Sequence, residues 1–517
     1  MKHKTATLLA SASFLVLTAA AARADDYSDL LDVLRARGSL SKSEYTTLLN
    51  KHLHGTRATH HRAGQAAPIE PASSEDQAAA AQIQQNALSA AASAAAANAA
   101  MQKMEAMQQQ METSPDLVHV EPYKPGGGVS IRVGAVDLNF SGIVNGFYTY
   151  SSASNKPYAI GGGLGDNSGF DSSSVRNGLL PGAFIATAST TQDGLDVSAT
   201  FGVYPGINST AEGVLGANTA GNATALGTAN GDFRKMFMTV GNAAWGTVKI
   251  GRDIGIFGSD AILNDQTLLG VGATGGNADP GNTSLGRIGY GYIYTDFLPQ
   301  ITYISPVFAG FQATVGAFQP MNAFDFSGYS ATSSAHNTPE FEGKVTYDYK
   351  SAAFAAHIWA GFMVQPQQDI VTAAGVTLPG SKLAGAGEGG AALTFGPVGL
   401  TGYIYRGSGV GSTAKLFDAL APNGDLRDSE GGYIQGSIKV SPKLKLIASY
   451  GVSNLYQAPG EDDPFLVRRN ESETAGAYYN LTQWVTLVAE YTHADSHAHG
   501  PYEISADSAS AGAILFY

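Results

Sequence analysis

The sequence predicts an all-β membrane protein, a sixteen-stranded antiparallel transmembrane β-barrel that follows a short helical N-terminal region. Three observations support this prediction. Beyond residue 130, apolar and polar residues alternate in short segments, as in strands with one face in hydrocarbon and the other in water. Short and long connections alternate between those segments. After the first two dozen residues, no apolar run is long enough to cross a bilayer as a helix.

Residues 1–24 are predicted to be a secretory signal peptide. Lys2 and Lys4 precede an apolar stretch, and the small-residue run 22–24 suits cleavage after residue 24. The apolar stretch is short and Asp25 follows at once, which disfavours a permanent membrane anchor.

The composition excludes several classes of function. The chain contains no cysteine, which rules out thiol catalysis and cysteine-ligated metal and suits a chain that crosses an oxidising periplasm unfolded. The 30 basic and 43 acidic side chains give a net charge of −13, and loss of the basic signal peptide makes the mature chain more negative. Nucleic acid is therefore not an expected partner.

The region after the signal peptide is predicted to be helical and then flexible. In residues 25–52, Gly38 can end a first helix, and Ser41 with Glu44 forms a capping box for a second, so we expect a helical hairpin. Residues 53–75 are predicted to be a polar linker. Four histidines lie at or near this linker: His52, His54, His60 and His61. Without a rigid frame or carboxylate partners they give little support for a metal site.

Residues 76–113 are predicted to form a helical stalk, because they are rich in Ala, Gln and Met and contain no Gly or Pro. A four-three spacing from Ile83 to Met111 is compatible with a coiled coil. Ala fits any register, however, so a disordered tether is an alternative. Residues 114–129, which end in a run of Gly, are predicted to be a linker, and the barrel is predicted to occupy residues 130–517.

The alternation within the barrel region has a period of two residues. Between Leu195 and Tyr204, the residues Leu, Val, Ala, Phe and Val alternate with Asp, Ser, Thr, Gly and Tyr. Similar patterns occur in 341–350, 444–451 and 485–492. Strands buried on both faces would instead be apolar throughout.

The connections distinguish a membrane barrel from a soluble sandwich. Short turns are predicted near 192–194, 242–244, 306–310, 351–352, 396–397, 441–442 and 482–483. Long polar stretches are predicted near 152–180, 206–232, 253–298, 320–339, 364–386, 408–429, 454–470 and 494–504. These fifteen connections imply sixteen strands, and their alternation in length indicates turns on the periplasmic side and loops outside. A barrel of this size encloses an aqueous lumen.

Several motifs of the barrel region occur in a characteristic combination: the strand Trp245–Arg252 before the longest loop, the strand–turn–strand segments 300–306 and 308–311, and the terminal aromatic Tyr517. Over roughly residues 130–517, this combination resembles the trimeric general porins of Gram-negative bacteria. The resemblance implies a homotrimer in outer-membrane lipid and a third loop folded into the lumen as a constriction. It also implies recognition of Tyr517 by the barrel-assembly machinery.

The resemblance further implies that acidic groups of the third loop oppose basic groups of the wall at the constriction. Matched by position, the acidic candidates are Asp253, Asp260, Asp265 and Asp279, and the wall arginine is Arg252. Alternation places further basic side chains on the lumen side, among them Lys235, Lys249 and Lys344. Alternation alone puts Arg252 on the outward face, so its inward placement rests on the resemblance or on a bulge.

The expected function is a water-filled channel for passive diffusion of small hydrophilic solutes and ions, with a mild cation preference from the net charge. One alternative is a porin specific for a sugar or an anion, in which tyrosines of the longest loop stack on sugars. A second alternative is a tether, in which the N-terminal region binds peptidoglycan and the barrel is an anchor.

No enzymatic activity and no cofactor are expected. The sequence contains no Gly-x-Ser-x-Gly elbow and no phosphate-binding loop. A group of His493, Asp495, His497 and His499 resembles a metal or triad site, but we assign it to a Gly- and Ser-rich outer loop.

Overall fold

The computed structural model describes residues 97–107, 118–120, 127–207, 232–275, 283–334 and 337–517. The predicted signal peptide, helical hairpin and first linker lie outside these residues, as do the four histidines near that linker. Within the predicted stalk, residues 97–107 form a helix with exposed side chains. None of the helices in the described ranges combines the length and the apolarity needed to cross a membrane.

Nineteen strands make up the described sheet. Their bounds are β1 Val118–Val120, β2 Val129–Val133, β3 Val136–Ala153, β4 Ser172–Arg176, β5 Ala183–Gln192, β6 Leu195–Val203, β7 Lys235–Asn242, β8 Gly246–Ile254, β9 Phe297–Ile304, β10 Phe311–Phe318, β11 Glu340–Lys350, β12 Phe354–Gln368, β13 Ser381–Phe395, β14 Val398–Ser408, β15 Asp428–Lys439, β16 Leu444–Leu455, β17 Val467–Asn480, β18 Val485–Ala498 and β19 Glu503–Phe516.

Sixteen of these strands, β3 and β5 to β19, form a closed antiparallel barrel. Each pairs with its neighbours along the chain, and β19 pairs back with β3 from Phe516 opposite Ile143 to Ala506 opposite Ala153. The short strands β2 and β4 pair with parts of β3, and β1 pairs with β2. The predicted strand number and closure are confirmed, and the ring of barrel strands has no open edge.

The two faces of each barrel strand differ as predicted. On β12, Ile358 and Phe362 point outward and are 44% and 46% exposed, whereas Trp359 and Met363 point inward and are 2% and 0% exposed. Exposed aromatic side chains gather at the end of the barrel that carries the short turns: Trp245, Phe308, Tyr349, Phe395, Tyr479 and Trp484. An apolar outer wall edged by aromatic residues is typical of transmembrane barrels.

Short turns and long loops alternate around the barrel, as predicted. The long loops are L1 154–182, L2 204–234, L3 255–296, L4 319–339, L5 369–380, L6 409–427, L7 456–466 and L8 499–502. L8 is much shorter than the predicted stretch 494–504, because β18 and β19 stay paired almost to their ends.

The short L8 corrects the position of the histidine group. His493, Asp495 and His497 lie on β18 rather than in a loop, in the same register as the outward-facing Tyr491. Only His499 of that group belongs to L8. Outward-facing residues on a paired strand do not form an enclosed site for a substrate.

The main hydrophobic core lies inside the barrel. Inner-wall side chains Trp359, Tyr403 and Tyr433 belong to one buried cluster with Phe257 and Ile293 of L3 and with Val410, Leu416 and Leu420 of L6. L6 therefore folds inward as well as L3, whereas the resemblance implied only the third. The inner wall positions both of them.

The barrel seam depends on a close contact at the C-terminus. The N–H of Gly142 donates to the main-chain oxygen of Tyr517 at 3.1 Å, and the N–H of Tyr517 donates back at 3.2 Å. A Cβ atom at residue 142 would lie 2.3 Å from a ring carbon of Tyr517. Only a glycine leaves room for the terminal ring at this position.

We predict that Gly142→Leu destabilises the barrel by about 1–3 kcal/mol, because the new side chain overlaps the Tyr517 ring. The folded fraction, measured by heat-modifiable electrophoretic mobility after refolding in detergent, should fall. Gly402→Leu is the matched control, because a Cβ there meets no atom within 4 Å. Equal folded fractions for the two variants would contradict the role of this contact.

Candidate functional site

L3 turns into the lumen directly after β8. Gly258 has a φ of 80°, a left-handed conformation that glycine adopts without strain, and it precedes the short helix α1, Ser259–Leu263. A 3-10 turn, Gln266–Leu269, follows. The N–H of Gly258 donates to Glu388 Oε2 on the inner wall at 2.9 Å. The sharp turn and this bond bring the loop against the wall.

Two further wall carboxylates hold the main chain of L3. Glu342 Oε2 accepts hydrogen bonds from the N–H groups of Ile256 and Phe257, the latter at 3.1 Å. Glu490 Oε2 accepts from the N–H groups of Val271 and Gly272 at 2.7 and 2.9 Å. An irregular chain in the lumen needs acceptors for its N–H groups, and these buried carboxylates supply them. Sequence analysis did not single out Glu342, Glu388 or Glu490, although alternation places all three inward.

Asp260 and Lys344 meet at the start of α1. Lys344 Nζ lies 2.5 Å from Asp260 Oδ2, and His357 Nε2 lies 3.2 Å from Asp260 Oδ1. Burial opposes ionisation of Asp260, but the hydrogen bond from His357 and the charge of Lys344 hold the pKa of that carboxyl below its usual value. His357, a residue that the sequence analysis missed, also contacts Asp348 through Nδ1 at 2.8 Å. Loop acid and wall base thus touch rather than oppose each other across an opening.

A second charged group lies on the wall formed by β7 and β8. Lys249 Nζ is 2.5 Å and Lys235 Nζ is 4.0 Å from the carboxylate of Asp253. Asp253 belongs to β8, not to L3, and shares the inward register of Lys249. Lys249 also lies over the ring of Phe237, 5.2 Å from its centroid. The structure brings these predicted residues together, with two ammonium groups around one carboxylate.

Arg252 lies in the outward register of β8. It pairs with Met236 on β7 and Pro299 on β9 in a continuous ladder, and its neighbour in the same register, Ile250, is 41% exposed. Its guanidinium donates to the main-chain oxygen of Phe297 at 2.7 Å. The inward placement implied by the resemblance is therefore wrong, since the ladder contains no bulge at this position to reverse the register.

Asp265, a further acidic candidate of L3, does not line an opening. Asp265 is 4% exposed, caps the 3-10 turn by accepting the N–H of Thr267 at 2.9 Å, and accepts the hydroxyl of Tyr292 at 2.9 Å. Burial raises the pKa of Asp265. The expected pore-facing role of Asp265 is thus wrong, because the loop encloses its carboxylate. Asp279 lies outside the described residues.

The tyrosines of L3 are enclosed. Tyr290 and Tyr292 are fully buried, and Tyr294 is 3% exposed. Burial also raises the pKa of each phenol. None of the three rings presents a free face on which a sugar could stack. The tyrosines of L3 therefore give no support to a sugar-specific channel.

Comparisons with known proteins agree with this fold. A family profile described as Gram-negative porin matches residues 80–499. No curated protein sequence matches the chain. The outer membrane channel DcaP of Acinetobacter baumannii has a similar structure, with a TM-score of 0.54, 15% identity, and coverage of 74% of this chain and 98% of that chain.

Two further solved structures are similar at lower scores. An anion-selective porin from Comamonas acidovorans gives a TM-score of 0.49 at 14% identity, covering 74% of this chain and 100% of that chain. OmpF of Salmonella typhi, in complex with daunomycin, gives 0.47 at 13% identity, covering 75% and 100%. At these identities the likeness to solved structures concerns the fold alone.

We predict that Glu490→Leu loosens L3, because the N–H groups of Val271 and Gly272 lose their buried acceptor, at about 1–3 kcal/mol for each unpaired group. Amide hydrogen exchange at these two residues should accelerate. Glu473→Leu on the neighbouring strand is the control, because Glu473 is exposed and faces outward. Unchanged exchange in the Glu490 variant would show that L3 is held by other contacts.

Proposed function

This chain belongs to the Gram-negative porin family, and from that premise we propose that it is a general porin for passive diffusion of small hydrophilic solutes and ions. It is a channel protein of the Gram-negative outer membrane. The observation that supports general diffusion is the closed barrel with polar and charged side chains along its inner wall. The fold is that of a non-enzymatic channel, and we propose no catalytic role and no cofactor.

We propose that the constriction lies between two charged groups. Asp260, Lys344 and His357 form one group beside α1, and Lys235 and Lys249 with Asp253 form the other on β7 and β8. Charged side chains that line a narrow passage bias the ions that pass it. This constriction does not include Arg252, which lies in the outward register, or Asp265, whose carboxylate is bonded within L3 to Thr267 and Tyr292.

The inner wall of the barrel carries basic as well as acidic side chains. Six lysines occupy inward positions of the wall: Lys235, Lys249, Lys344, Lys350, Lys439 and Lys445. The same face carries four aspartates, Asp137, Asp196, Asp253 and Asp348. It also carries four buried glutamates that bind L3 or Lys415: Glu340, Glu342, Glu388 and Glu490. We propose that these lysines counteract the cation preference that the net charge of −13 predicts.

The assembly of the channel is also a proposal. We propose a homotrimer surrounded by outer-membrane lipid, exported with the signal peptide 1–24 and recognised by the barrel-assembly machinery through Tyr517. The exposed apolar outer wall supports contact with lipid. The terminal ring of Tyr517 at the seam supports recognition by the barrel-assembly machinery. We propose further that the region before the barrel, predicted from the sequence to be helical, is periplasmic and contacts peptidoglycan.

A substrate-specific porin for a sugar or an anion is the nearest alternative, and the inward lysines favour an anion over a sugar. Conductance that saturates with one solute would identify such a channel. A tether is the more distant alternative, because a tether does not require charged groups along the inner wall.

We predict that the purified protein inserts into planar bilayers in conductance steps that occur in groups of three, as independent pores of one trimer would. A variant without residues 25–125 should conduct with the same unit step, because the barrel alone carries the passage. A full-length protein that folds in detergent but never conducts would rule out the porin function and favour the tether.

We predict that combined Lys235→Gln and Lys249→Gln shift the channel toward cations. A unit charge about 10 Å from a permeating ion in water contributes about 0.4 kcal/mol, which salt at about 0.1 M screens to about 0.15 kcal/mol. The two lost charges act with opposite sign on cations and anions, so the cation-to-anion permeability ratio should rise about two- to fourfold. The reversal potential in a KCl gradient measures this ratio. Arg406→Gln is the control, because Arg406 points outward and its side chain is 77% exposed. A reversal potential equal to that of wild type would exclude these lysines from the passage.

A further inference from the structure

L6 lies inside the barrel although it connects two strands at their outer ends. Val410, Leu416 and Leu420 are each 0% exposed and belong to the main buried cluster. Leu416 and Asp418 have positive φ angles of 65° and 54°, a backbone conformation that residues other than glycine rarely adopt. A backbone of this kind persists only where its surroundings fix it. L6 therefore has a defined inward position.

The end of L6 inside the lumen carries a fully buried lysine. Lys415 Nζ lies 3.2 Å from Glu340 Oε1 and makes a short ion pair with Glu342 Oε1. The three side chains are 0% exposed, and both glutamates belong to the inner face of β11. A buried ammonium requires such partners, because an unpaired charge away from water is strongly destabilising.

Glu342 links L6 to L3. Its Oε1 accepts a hydrogen bond from the ammonium group of Lys415. Its Oε2 accepts hydrogen bonds from the N–H groups of Ile256 and Phe257 at the start of L3. A second link joins the loops directly, where the N–H of Tyr294 donates to the main-chain oxygen of Thr413 at 2.9 Å. The position of L6 is thus tied to that of the loop that we assign to the constriction.

L6 is also joined to its other neighbours. Asp418 Oδ1 accepts the N–H groups of Phe326 and Ser327 of L4 at 3.0 and 2.8 Å. Arg427, which is buried, forms an ion pair with Glu461 of L7 at 2.5 Å. These bonds join L6 to L4 and L7, whereas Lys415 joins L6 to the inner face of β11.

We propose that L6 is a second element of the constriction and that Lys415 is the positioning residue that keeps it in the lumen. The proposal rests on the porin function stated above. Its consequence is that the size limit of the channel is set by L3 and L6 together. Lys415 itself touches no solute, because it is enclosed between the loop and β11.

The first test is Lys415→Met, which keeps much of the side-chain length but leaves two buried carboxylates without their cation. L6 should leave the lumen, and the unit conductance should rise, on the order of 1.5-fold, because it follows the open cross-section. The largest sugar that passes in liposome swelling should increase as well. The control is Lys382→Met, which removes a partly exposed ion pair between β13 and the same loop, Lys382 with Asp425 at 2.5 Å.

A rescue variant tests whether Lys415 holds L6 through its charge or through the packing of its side chain. Lys415→Met combined with Glu340→Gln and Glu342→Gln removes all three charges and retains amide oxygens as acceptors for L3, so conductance and size limit should return toward wild type. If Lys415→Met does not fold, a second variant takes its place, in which Gly-Ser-Gly replaces residues 411–421 and both glutamates are changed to glutamine. This variant should raise both the unit conductance and the size limit.

A folded Lys415→Met channel with wild-type conductance and wild-type size limit would overturn the proposal, as would a shortened L6 that changes neither. Absence of conductance in the wild-type protein would instead refute the porin function. Protease protection of L6 in the folded wild-type barrel, and its loss in Lys415→Met, can be measured without conductance and tests the positioning role of Lys415 in that case.

Discussion

The closed ring of main-chain hydrogen bonds is the constraint on which the rest of the structure depends. In hydrocarbon, each unpaired N–H or C=O group costs several kcal/mol, so a sheet can span the membrane only if it has no edge. The pairing of β19 with β3 removes the last edge, and the contact between Gly142 and Tyr517 closes the end of that seam. Closure then forces one face of every strand toward lipid and the other toward the lumen.

The same requirement acts on the loops that enter the lumen. L3 and L6 lack regular secondary structure over most of their length, so their N–H groups and charges need partners that a strand ladder would otherwise provide. Glu342, Glu388 and Glu490 provide them from three separate strands. Burial of a carboxylate is costly in itself, but here each one accepts hydrogen bonds from the loop main chain, which compensates for the lost water. The wall therefore fixes L3 at several points around the circumference.

The features that sequence analysis predicted are those with a local physical cause. The boundary between lipid and water imposes a period of two residues, which gave the strand number, the alternation of turns and loops, and the inward positions of Lys235, Lys249 and Lys344. Arg252 shows the limit of matching by resemblance, because the unbroken ladder around it obeys the simple period instead. Asp265 and the tyrosines of L3 lie where no period applies. Their burial depends on contacts with strands far away in the chain, and the same holds for the inward path of L6.

Glu342 shows how these long-range contacts act together. Its two carboxylate oxygens serve different loops, one through the ammonium of Lys415 and the other through main-chain N–H groups of L3. Movement of L3 or of L6 changes the hydrogen bonds of Glu342, which also holds the other loop. The positions of L3 and L6 are therefore coupled through one side chain on a rigid strand. In a channel whose selectivity depends on the width and charge of its narrowest part, such coupling makes the aperture a joint property of two loops. Because the closed wall is rigid and positions both loops, a lumen that contains irregular loops can still have one defined cross-section.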